Sequence, residues 1–172
     1  MTGDMLGKMG GRRSRRPVVS NVPELAKLLE LDNRTDQIGW HRGVETEIEE
    51  IVQKELPMIE VDESLLVHYL DATDGEYPDI ISGAILAAIH DRNGDKPTEL
   101  HYNARGKEFK GLFTRSRFDT LVLENAMLTG MALVGDRSEY RALAAIGCKG
   151  GYLSPGGTML TRVCDVTRVP VT

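Results

Sequence analysis

Five cations in the second half of the chain, Arg105, Lys107, Lys110, Arg115 and Arg117, are interleaved with Tyr102, Phe109, Phe113 and Phe118. Cations that hold phosphates, set beside aromatic faces that stack on bases, are the means by which proteins bind single-stranded nucleic acid without sequence preference. These five are therefore the candidate nucleic-acid-binding residues. An alternating strand, with its aromatics inward and its cations in water, produces the same spacing and is the favoured reading. A second cluster, Arg12, Arg13, Arg15 and Arg16, is a better contact for phosphate or carboxylate and supplies the candidate partner-binding residues. So few charges bind nucleic acid only weakly and with strong salt dependence.

Other chemistry is fainter. Asp91, Asn93 and Asp95 match the first alternating oxygen ligands of a calcium loop, but Lys96 stands where the turn glycine belongs and Tyr102 where the bidentate glutamate belongs. An ordinary helix stop explains them. The glycine-rich segments Gly147 to Gly151 and Ser154 to Gly157 lack both the phosphate-loop spacing and a following helix, so they read as turns. His41, His68, His90 and His101 show no helical i, i+4 pairing and no cysteine at metal spacing, and no metal ligand is assigned. Cys148 beside Lys149 hints only faintly at an activated thiol, and no nucleophile elbow is present. The sequence therefore yields no catalytic residue and no cofactor.

The elements that would position these residues fall into two textures. Asn21 with Glu24 forms a capping box ahead of Leu25, Leu28 and Leu29, a short helix stopped by Asp32 and Asn33. A second helix covers Gly43 to Leu56 and ends at Pro57. A third, capped by Asp62, covers Ser64 to Leu70, and a largely buried fourth runs from Asp79 to His90, closed by Asn93 and Gly94. From Thr98 onward, apolar residues flank the turn-like Asn103 to Gly106, which reads as a β-hairpin. The stretch Asp119 to Val134 is ambiguous, its leucines and alanine favouring helix while Gly130 and Gly135-Asp136 allow a break or a strand ending in a turn; Ser138 to Ile146 reads as a short helix, and Thr158 to Val171 as an edge strand. No internal repeat is apparent. The expected fold is α+β, with helices mainly in residues 21–91 and a small antiparallel sheet with a hairpin in the second half. Residues 1–17 form a basic flexible arm and residues 18–172 a single α+β domain.

At 172 residues, with 41% hydrophobic and 27% charged, the chain suits one globular domain that buries roughly 70% of its unfolded surface. The longest apolar run, Ile80 to Ile89, is too short to cross a bilayer. No secretory leader is legible, so the mature chain is expected to begin near Met1. Two cysteines, Cys148 and Cys164, make a reducing compartment the default and leave open whether they pair.

Charge is distributed unevenly. The arm carries five bases against one acid, a net of +4. Residues 18–104 carry nineteen acids against six bases, a net of −13, and residues 105–172 ten bases against six acids, a net of +4. A glycine-rich cationic arm does not order on its own and gains fixed structure against an anionic surface of another copy or molecule. The leading expectation is a non-enzymatic structural or assembly subunit of a large homo-oligomeric complex. A virus or phage particle component of the head, neck or tail is one such, located in the cytoplasm or the virion, neither secreted nor in a membrane. The alternatives are a nucleic-acid-binding module using the arm and the Arg105 to Arg117 stretch, and a small hydrolase or transferase with its site at the glycine-rich loops.

Overall fold

In the computed structural model, residues 22–129, 132–150 and 152–153 are described. Helix α1 (Val22–Asp36) continues past the expected stop at Asp32 and Asn33. Asp32 points into the core rather than ending the helix, and the Thr35 hydroxyl donates back to the Leu31 and Asp32 carbonyls at 3.1 and 3.0 Å. Helix α2 (Val44–Glu55) follows Gly43, whose φ of +86° only glycine adopts freely, and ends in a 3-10 turn at Leu56–Met58. Helix α3 (Glu63–Ala72) is capped by Asp62, whose Oδ1 accepts from the Leu65 amide at 2.7 Å. Helix α4 (Pro78–Asn93) begins at a proline, where a missing amide costs nothing, and is buried along most of its length. No helix among the described residues is long and apolar enough to cross a membrane.

The second half corrects the expected hairpin. Strands β1 (Glu99–Asn103), β2 (Glu108–Phe109), β3 (Thr120–Glu124), β4 (Met127–Leu128), β5 (Leu133–Val134), β6 (Ala142–Ile146) and β7 (Tyr152–Leu153) pair only in parallel. The ladders are β1-β3-β6, β2-β4 and β5-β7. Single parallel bridges join Leu112 to Val134, Arg117 to Glu139 and Met127 to Lys149. Each circuit therefore returns the chain to the side of the strand it left, and the path is a short parallel β-solenoid of stacked coils. Asn103 to Gly106 is a true turn, with Arg105 and Gly106 at φ of +52° and +87°, but it is a corner of a coil rather than a reversal. Inward and outward side chains alternate equally in parallel and antiparallel strands, so periodicity could not separate the two.

A repeat is present after all. Leu100, Leu121 and Leu143 share one interior row, and Tyr102, Leu123 and Ala145 the next. Ser116 and Ser138 are buried and bonded at 2.8 Å, and the Phe118 and Tyr140 rings stack 5.1 Å apart with planes 4° from parallel. Left-handed backbone recurs at matching corners: Phe113 and Gly135, Arg115 and Arg137, Asn125 and Gly147. The ambiguous stretch Asp119 to Val134 takes its strand alternative, as β3, β4 and β5, and the expected short helix at Ser138 to Ile146 is corrected to strand β6. Ladder bonds to the neighbouring coil override the helix propensity of Leu and Ala, and the corner at Asn125 interrupts the first of the two runs.

The helices pack on the first coil through α4. At Gly83 an added Cβ would lie 1.8 Å from the Thr114 carbonyl oxygen. The Ser82 hydroxyl accepts from the Phe113 amide at 3.0 Å, and the Asp79 carbonyl from the Thr114 amide at 3.0 Å. The helical layer and the coils share one apolar core, from Leu28 through Ile85 to Val134 and Cys148. The terminal arm, Cys164 and the Thr158 to Val171 strand lie outside the described residues.

Candidate functional site

The structure places four of the five second-half cations on the seam between coil and helices. Lys107 Nζ donates to the Leu70, Asp71 and Thr73 carbonyls at 2.8, 3.0 and 2.7 Å. These are the orphan acceptors at the end of α3, where a cation is also favoured by the helix dipole. Burial lowers the Lys107 pKa, against the opposing pull of Asp74, Asp71 and Asp32. Lys110 meets Glu76 at 3.5 Å and Arg115 meets Glu49 at 2.8 Å, while Arg117 forks onto Asp91 at 3.2 and 2.6 Å. Arg105 sits exposed on its corner and makes no ion pair among the described residues. Tyr102, Phe109, Phe113 and Phe118 are buried, so the cations and rings do not form one face open to a nucleic acid.

Cys148 is buried in the third coil, its Sγ 3.6 Å from the Leu123 carbonyl oxygen. Burial pushes its thiol pKa up, the opposite of what a nucleophile needs. Gly147 and Gly150 are corner residues, and a Cβ at Gly150 would lie 2.2 Å from the Leu128 carbonyl oxygen, so close stacking of coils accounts for the glycine there. Asp91 is taken by Arg117, and no three metal-binding side chains cluster among the described residues. No protein family, curated protein or solved structure matches this chain.

What the fold does bring together is negative charge. Tyr77 lies in the link between α3 and α4, and its hydroxyl pKa is raised first by burial and then by Glu76, Asp36, Asp79 and Glu45. Those carboxylates come from the end of α1, the start of α2 and the start of α4. Asp36 Oδ1 accepts from the Glu76 amide at 2.9 Å, fixing the link against α1. Asp79 is itself raised, chiefly by burial and also by Glu45. Among the described residues, Lys110 reaches this surface, at Glu76. Beside it a cavity of about 450 Å³ opens between Thr73 to Glu76 and Lys107 to Lys110.

Under this surface lies a buried carboxyl. Asp32 accepts from the Tyr69 hydroxyl at 2.7 Å and from the Thr73 hydroxyl, and desolvation raises its pKa. Thr73 in turn presents its carbonyl to Lys107, so α1, α3 and the first coil are tied through one polar chain. Reading the sequence alone missed both Asp32 and the convergence on Tyr77. The only signal was Asp32 itself, which read as a helix stop, and the acids of the cluster are scattered over more than forty positions.

Proposed function

We infer that the protein is a non-enzymatic subunit of a homo-oligomeric assembly, in which the cationic arm of one copy lies on the acidic surface around Tyr77 of another. One observation carries the reading: Asp36 accepts from the Glu76 amide at 2.9 Å, and Asp36, Glu45, Glu76 and Asp79, from three helices and a link, all act electrostatically on Tyr77. Like charges brought together raise the free energy of the fold unless a cation lies over them. The ion pairs at the seam consume few of the nineteen acids in residues 18–104, so folding leaves the helical layer strongly acidic. Arg12, Arg13, Arg15 and Arg16 supply matching charge, and several such contacts acting together steer association. A component of a virus or phage particle is one assembly of this kind. The seam ion pairs and the buried rings weigh against the nucleic-acid reading at Arg105 to Arg117, and the burial of Cys148 weighs against the hydrolase reading.

The test is a titration of a peptide of residues 1–17 into the chain that lacks them. Binding is expected at low salt, weaker as salt rises, and weaker again in the double variant Glu45→Gln, Glu76→Gln. No binding at low salt, or binding indifferent to that double variant, would overturn the proposal.

A further inference from the structure

The ladder β1-β3-β6 has two outer edges, and the chain treats them differently. At the β1 edge the strand carries Glu99 and His101 and abuts the helices. Thr98 Oγ1 lies 3.0 Å from His90 Nδ1, and the Tyr102 hydroxyl donates to Asp71 at 2.9 Å. The β6 edge, Ala142 to Ile146, has no charge, no proline and no bulge, the devices that keep an exposed edge from pairing. Leu143 and Ala145 end their interior rows, and each coil of a solenoid covers only its neighbours. Both are nevertheless wholly buried, although β3 is the only described element packed closely on β6.

We propose that the outer edge of β6 is a strand-docking site and that its occupant is residues 163–167 of the same chain, added in parallel as the next rung. The register sets the choice. Glu99 pairs with Thr120 and Thr120 with Ala142, steps of twenty-one and twenty-two residues. A further step of twenty-one from Ala142 reaches Val163. It puts Cys164 over Leu143 and Val166 over Ala145, both apolar and inward, and puts Asp165 in the outward row of His101, Val122 and Ala144. A step of twenty-two would drive Asp165 into the leucine row, at the cost of burying a charge. The chain is long enough: Val134 to Ala142 spans eight residues from the β5-β7 ladder to the next long strand, and Leu153 to Val163 spans ten. A local segment also closes this loop at less entropic cost than a second molecule would.

Hydrogen exchange tests the proposal in the full chain, in the inward variant Val166→Asp and in the outward variant Val163→Asp. Amides of β6 should exchange at least about tenfold faster in Val166→Asp than in the full chain. Those of β3 should be unchanged, and Val163→Asp should behave as the full chain. Equal β6 exchange in all three, or equal loss in both variants, would overturn it. So would β6 protection that rises with protein concentration, since a second copy would then be covering the edge. Deleting residues 1–17 should leave β6 protection intact, which separates this inference from the assembly reading.

Discussion

Gly83→Ala sets two physical expectations against each other. In a helix interior, alanine is favoured over glycine by about 0.5–1 kcal/mol, so propensity alone says the variant is more stable. The structure says the reverse. The new Cβ would lie 1.8 Å from the Thr114 carbonyl oxygen, 2.7 Å from its carbon and 2.9 Å from its nitrogen, where real Cβ atoms stay beyond 3.0 Å. All three are backbone atoms, which no rotamer change can move aside. Separating α4 from the corner by more than an ångström breaks the bonds from the Phe113 amide to Ser82 and from the Thr114 amide to Asp79, both 3.0 Å. Overpacking costs about 1–3 kcal/mol, and a buried amide left without its acceptor costs about 1–3 kcal/mol more. The expected loss is therefore about 2–6 kcal/mol, a large share of the ~5–15 kcal/mol that holds a domain together. Urea unfolding followed by far-ultraviolet circular dichroism measures it. Gly39→Ala, at a site with nothing within 4 Å, serves as the control and should stay within about 0.5 kcal/mol of the parent. A Gly83→Ala chain as stable as the parent, or more so, would refute the docking of α4 on the first coil.

Lys107→Met should lower stability by about 2 kcal/mol, read from the same urea transition, because three carbonyls at the end of α3 lose a charged donor. Asp32 has a folded pKa raised above its ordinary 3.8 by burial, so its favourable contribution is complete below that value and is lost as pH rises through the folded pKa. Asp32→Asn should therefore match the parent in acid and gain on it as pH rises past 3.8 toward neutrality. Asp32→Ala, which strands the Tyr69 and Thr73 hydroxyls, should be less stable throughout. Thermal unfolding across that pH range reads both variants. Cys148 should react with iodoacetamide near neutral pH much more slowly than a free peptide thiol and speed up only on denaturation; fast labelling of the native chain would show that the thiol is not in the core.

The four helices were legible because their signals are local. Asp62 caps α3 as its position suggests, Pro57 falls in the turn that ends α2, and the apolar run of α4 is buried along most sides. The coils were not legible by the same method, since their hydrogen bonds join residues about twenty positions apart and leave no nearest-neighbour trace. Their signature lies in the comparison of distant segments: Arg115-Ser116-Arg117-Phe118 repeats as Arg137-Ser138-Glu139-Tyr140, twenty-two residues on, with the serines bonded and the rings stacked. The charge segregation was legible as arithmetic but not as geometry. Part of it is resolved inside the subunit, where Arg115, Arg117 and Lys110 reach Glu49, Asp91 and Glu76. The Tyr77 cluster could not be read at all, because it requires the end of α1, the start of α2, the α3–α4 link and the start of α4 to meet.

The most direct measurement is the particle mass in solution, by light scattering at low and at physiological salt, for the whole chain and for the chain without residues 1–17. The account predicts a multiple of the 19.0 kDa subunit for the whole chain and a shift toward the single subunit once the arm is removed. A single subunit in both cases, or the same multiple in both, would contradict it.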